Sequence, residues 1–165
     1  MNGRIGKKRR SRRNGRILLL AIGILISACG SSRGIEVEEA WVRSGVKDGN
    51  TAAYMTIENP SSQEVSLLGV ASDISQFAEL QLSQAGADGV MQMIPQESIH
   101  LPAGGRLELK PGSYHVMLIG LSQDLIPGDT ITITLDFENH EDISVTILVK
   151  DTAEMGGTGM DGHMP

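Results

Sequence analysis

Two short segments set soft donor atoms at alternate positions: Met91-Gln92-Met93 and His115-Val116-Met117. Thioether sulfur combined with imidazole nitrogen suits reduced copper, and few other metals select methionine. In an extended strand, residues two apart project to the same face, so each pair can present both side chains to one point. The chemistry follows only if the two strands lie close together. Apart, the same residues are ordinary core, because methionine is a common filler of irregular gaps.

The elements that must position them are strands. From Ile35 onward no window carries a helical period. Ile131, Ile133, Leu135 and Phe137 alternate with Thr130, Thr132, Thr134 and Asp136, the pattern of a half-buried strand, and Val145, Ile147 and Val149 repeat it. Further strands are expected at Glu36–Arg43, Thr51–Glu58, Val65–Ala71, Phe77–Ser83, Val90–Ile94, Arg106–Leu109 and Tyr114–Ile119. Asp48-Gly49-Asn50, Asp88-Gly89, Ala103-Gly104-Gly105, Pro111-Gly112 and Pro127-Gly128-Asp129 supply turns. Asn59-Pro60-Ser61-Ser62 reads as a hairpin between strands of one sheet. Many short strands at this spacing predict an all-β, antiparallel sandwich or barrel in a single domain. Within Tyr114–Ile119, Tyr114, Val116 and Leu118 share one face, and His115 and Met117 the other.

The two ends read differently. Residues 1–28 join a basic stretch containing Lys7, Lys8, Arg9, Arg10, Arg12, Arg13 and Arg16 to a short apolar run from Ile17 to Ile26. That run is too short to cross a bilayer, which takes about 20 residues, and it reads as a signal peptide. Ile26-Ser27-Ala28-Cys29 resembles a bacterial lipobox, which implies cleavage before Cys29 and lipidation of its thiol. Residues 29–34 form a tether, 35–150 the domain, and 151–165 a glycine-rich tail carrying Met155, Met160, His163 and Met164.

Charge and cysteine content exclude several functions. Eight of the 14 basic residues and none of the 20 acids lie in 1–28, so the remainder carries six basic residues and a formal charge of −14. Such a domain repels nucleic acid. Cys29 is the only cysteine, which rules out disulfides, cysteine catalysis and thiolate zinc sites within the domain. A blue-copper centre also needs a Cys sulfur. No nucleophile elbow or phosphate loop is present, so no enzyme is expected. His100, before Leu101-Pro102 in a turn, and His140, in the loop Asn139-His140-Glu141-Asp142, lack partner motifs.

Ala40-Trp41-Val42-Arg43, Thr51 to Asn59 (TAAYMTIEN), Asp88-Gly89-Val90-Met91-Gln92-Met93 and Leu109 to Leu118 (LKPGSYHVML) together resemble the periplasmic copper chaperones of the PCu(A)C type. The resemblance runs from about Ala40 to about Val149. It implies a cupredoxin-like β-barrel that carries Cu(I) toward cytochrome c oxidase assembly. It also implies a metal pattern of His, ten residues, Met, twenty-one residues, His-x-Met. Met93 and His115 are separated by 21 residues, and Met117 completes the second half. The first histidine is absent: counting back reaches Leu82, and one extra residue in the following loop brings Gln81 to that place. The resemblance thus leaves Met93, His115 and Met117 as a three-ligand Cu(I) set.

Met91, Gln81 and the tail residues Met155, Met160, His163 and Met164 are the further candidates, with Cu(II) an option at the tail. The expected protein is a monomeric, extracytoplasmic carrier anchored to the membrane through Cys29, on the periplasmic side in a diderm cell. Its partner would be a copper-accepting membrane protein or a second copper chaperone. The competing reading is a β-sandwich adhesion or assembly lipoprotein that has lost its metal site.

Overall fold

A computed structural model describes residues 34–151. They form ten strands and no helix: β1 Glu36–Arg43, β2 Asn50–Glu58, β3 Val65–Ser72, β4 Ser75–Ala85, β5 Met91–Pro95, β6 Ile99–Leu101, β7 Arg106–Leu109, β8 Tyr114–Leu121, β9 Thr130–Phe137 and β10 Ile143–Lys150. The hydrogen-bonded order is β5-β4-β8-β2-β1-β10-β9-β3-β6, with β7 also paired to β2. All pairings are antiparallel except β1 with β10, which is parallel. Strands far apart in this order nonetheless share one core: Val42, Met55, Ile57, Val116 and Leu118 pack in a single cluster with Leu67, Leu101, Ile133, Leu135 and Ile147. The sheet therefore curls over into two layers, as the cupredoxin-like expectation requires, and the alternation of Ile131, Ile133, Leu135 and Phe137 points into that core.

Two expectations are corrected. Asn59-Pro60-Ser61-Ser62 is no hairpin, because β2 and β3 do not pair. It crosses between layers, and buried Asn59 holds it there. The Asn59 side-chain amide donates to the carbonyls of Gln63 (2.7 Å), Pro102 (3.2 Å) and Leu101 (3.4 Å), while its Oδ1 accepts from the Ser61 hydroxyl at 2.7 Å. His100 lies not in a turn but in β6, whose three residues pair with β3. A strand that short has too few residues to show alternation.

A bulge sets the outer face. The β1–β2 register shifts between Glu38 and Trp41, with Glu39 in the left-handed region at φ 51°. One extra residue reverses which face each later side chain occupies. Without it Trp41 would stand opposite Ala53, on the core side. With it Trp41 faces outward opposite Tyr54, and Val42 enters the core with no exposure.

Candidate metal centre

Strand β8 separates its two faces as alternation demands. Val116 and Leu118 are fully buried in the core, while His115 and Met117 occupy the outer face. Met117 packs against a small outer cluster of Trp41, Ala52 and Tyr54. The Trp41 and Tyr54 rings lie 4.6 Å apart, and Tyr54 is 6.4 Å from the His115 ring. His115 is 4% exposed and is therefore held rather than dangling.

Met93 reaches the same place from two strands away. β4 lies between β5 and β8, and Ser83 pairs with Met93 across the hairpin built on Asp88-Gly89. The Ser83 hydroxyl donates to Met93 Sδ at 3.0 Å. Its backbone N–H donates to the Ser113 carbonyl at 3.1 Å, which also lies 3.0 Å from His115 Nδ1. A carbonyl only accepts, so Nδ1 carries the proton and Nε2 keeps its lone pair for a ligand. The turn that aims this carbonyl has Pro111 at its second position and Gly112 at φ 78° at its third, with Ser113 N–H closing on Lys110 O at 3.1 Å. Glycine suits that third position because φ is positive there.

Met93, His115 and Met117 thus line one cleft of about 300 Å³, together with Ser83, Tyr54, Arg43, Ser44, Asn50, Thr51, Ala52, Pro111 and Gly112. Two thioethers and one imidazole suit Cu(I). Among the described residues no three His, Cys, Asp or Glu side chains gather as a harder metal site. Burial raises the Tyr54 phenol above its ordinary pKa, and the nearby Arg43 cation partly opposes that rise.

The remaining candidates sit elsewhere. Gln81 stands opposite His115 but is buried, donates its amide to Glu79 at 2.9 Å, and does not line the cleft. Leu82, the counted position, pairs with Tyr114 and Ile94 and alternates onto the opposite side of β4. Met91 pairs with Ala85, is half exposed, and lies outside the cleft lining. Cys29, Met155, Met160, His163 and Met164 fall outside the described residues. His100 lies 3.8 Å from Glu64 and His140 bonds the Glu141 carbonyl. Sequence reasoning missed Ser83, Tyr54 and Arg43. A two-residue loop on Asp88-Gly89 would set Gln84 across from Met93. The loop has three residues, Ala87-Asp88-Gly89, closed by the Gly86 N–H on the Val90 carbonyl at 2.8 Å, and that register is what brings Ser83 there.

Comparison with known proteins follows the same line. A family model described as LpqE-like matches residues 35–149. The Leifsonia xyli protein named "Putative lipoprotein Lxx21020" is 32% identical over 120 residues, 72% of this chain and 70% of that protein. A solution structure of CuI-DR1885 from Deinococcus radiodurans is 31% identical, covers 74% of this chain and 84% of its own, and superposes with a TM-score of 0.54. A copper-bound PCuAC domain from PmoF2 superposes at a TM-score of 0.61, covering 73% of this chain and 96% of that domain. Its 22% identity speaks to the fold.

Proposed function

The chain belongs to the LpqE-like lipoprotein family, and from that premise we propose that it is a carrier of Cu(I). The resemblance to the PCu(A)C type is borne out by the family match and by the shared fold. The reading rests on one observation: Met93 from β5, and His115 and Met117 from β8, line a single outer cleft. Met93 Sδ, His115 Nε2 and Met117 Sδ are the proposed ligands. The relative from Deinococcus radiodurans, solved as its CuI form, supports that cargo and oxidation state.

The mechanism is ligand exchange. Thioethers are neutral and need no deprotonation, and His115 already carries its proton on Nδ1, away from the metal. A three-ligand ion in a cleft open to solvent accepts a ligand from an acceptor before it loses one of its own. The chain works as a monomer, tethered outside the cytoplasm by lipidated Cys29, and its acceptor is a membrane copper protein such as cytochrome c oxidase or a second chaperone. The lipoprotein name of its relative supports the anchor.

The tail supplies further donors through Met155, Met160, His163 and Met164. Support comes from its point of departure: Lys150, at the end of β10, is the register partner of Arg43, which lines the cleft. Five residues from there to Met155 span at most about 18 Å.

Titration with Cu(I) under reducing conditions against a chromophoric competitor tests this reading. One ion per chain is expected, with His115→Ala and Met117→Ala each weakening binding about tenfold or more. Lack of stoichiometric binding, or indifference to both substitutions, overturns it in favour of a metal-free assembly module. A chain ending at Asp151 tests the tail, which drops out of the site if affinity and stoichiometry hold.

A further inference from the structure

The charge of the cleft does not match a cation carrier. Its lining includes the Arg43 guanidinium and no Asp or Glu, although the chain has 20 acids. Among the described residues, Arg106 pairs with Glu58 and Glu108, and Lys110 pairs with Glu108; none of these salt bridges involves Arg43. Arg43 Nε is buried with no hydrogen-bond acceptor, so the cation is partly desolvated without a partner at a cost in stability, and an anion in the cleft would meet it at its terminal nitrogens.

The guanidinium is nonetheless placed. Its central carbon lies 5.8 Å from the Tyr54 ring centroid, and its register partner Lys150 puts Nζ 5.8 Å from the Trp41 ring. Beside it, Asn50 uses its side-chain carbonyl to accept from the Gly120 N–H at 3.1 Å, which leaves its amide N–H groups as donors. Cu(I) on three neutral ligands adds a second positive charge to the same cleft. Like charges in a partly desolvated site repel unless an anion lies between them.

We propose that this cleft binds a carboxylate, gripped by Arg43 and Asn50 and serving as the counter-ion of the copper held by Met93, His115 and Met117. The planar guanidinium fork matches two carboxylate oxygens, which an ammonium group does not. Carboxylate oxygen is too hard to compete with thioether for Cu(I), but it supplies the negative charge that two thioethers and an imidazole lack, and it offsets both positive charges at once. The inference rests on the copper reading for its metal half, whereas the anion half stands on Arg43 and Asn50 without it. The carboxylate comes either from an acidic side chain of the acceptor or from a small free acid.

The test follows the Arg43 Nε–H NMR signal while sodium acetate replaces sodium perchlorate at constant ionic strength, in copper-free and Cu(I)-loaded protein. A saturable displacement is expected in both, tighter in the loaded form. Arg43→Lys and Asn50→Ala, with backbone spectra confirming the fold, each weaken the acetate response followed on neighbouring amides by about tenfold. Overturning results are equal displacement by perchlorate, no saturation, or indifference to both substitutions.

If acetate fails while one Cu(I) still binds per chain, the anion site is wrong and the carrier reading stands. If acetate binds and Cu(I) does not, the carrier reading and the metal half of this inference fall. A terminally blocked Gly-Glu-Gly peptide separates the sources. Saturation below the acetate concentration assigns the carboxylate to an acceptor protein; saturation at or above it assigns a free acid.

Discussion

Ser83 is the sharpest point at which to test the geometry. It occupies the strand between Met93 and His115, and its side chain is small enough for Met93 to lean over it. Ser83→Ala removes only the 3.0 Å hydroxyl bond to Met93 Sδ. A neutral bond of this kind contributes about 0.5–1.5 kcal/mol, and sulfur is a weak acceptor. The expected loss is therefore under about 1 kcal/mol, roughly fivefold or less in Cu(I) affinity.

Ser83→Leu is different in kind, because it fills the row between the two ligands and holds the thioether away. Its loss should equal that of Met93→Ala, about tenfold or more, or about 1.4 kcal/mol or more. The assay is competitive Cu(I) titration of both single variants and the double variant, with thermal unfolding of each as the control for folding. If Ser83 acts through Met93, the double variant is no worse than either single, since residues serving one contact do not add. Full additivity would refute the argument, as would a Ser83→Leu protein that binds normally while Met93→Ala does not.

Other outcomes follow from single contacts. Asn59→Ala should destabilise the domain by about 2–4 kcal/mol, since it strands buried carbonyls on the crossing loop; Asn59→Asp should be worse at neutral pH, where a carboxylate faces those carbonyls, and chemical denaturation at two pH values measures both. Tyr54 keeps its proton to higher pH in the folded chain than in the unfolded one. Its contribution to stability is thus complete below the unfolded phenol's pKa and is lost as pH rises through the folded value. Arg43→Gln should move the phenolate absorbance transition still higher, because a cation that lowers it is gone; a downward move contradicts the assignment. Trp41, the only tryptophan, packs at a tilt against Tyr54, which neighbours His115. Its emission should report copper with a one-to-one endpoint, and His115→Ala should shift that titration to higher free Cu(I) by about tenfold or more.

Much of this was legible because side-chain alternation is a local property. The strand Arg106–Leu109 and the inward set Ile131, Ile133, Leu135 and Phe137 stand where the pattern put them, and so do the two faces of β8, with Val116 inside and His115 outside. The candidate site was legible as residue types. Met93, His115 and Met117 were singled out by donor softness and spacing, and they line one cleft.

Properties that depend on which strands become neighbours were not legible. Whether β5 and β8 share a site depends on the intervening β4, and only its register makes Ser83, rather than Leu82 or Gln81, the residue under Met93. The single extra residue at Glu39 turns Trp41 outward onto Tyr54, and no alternation rule reveals a bulge before its partner strand is known. The Asn59 loop looked like a hairpin because Asn-Pro marks a turn, but a turn does not say which strand comes next to pair. Residue chemistry and local period thus belong to the sequence, whereas the meeting of a thioether, an imidazole and an unpaired guanidinium in one cleft belongs to long-range register, which the curled sheet alone decides.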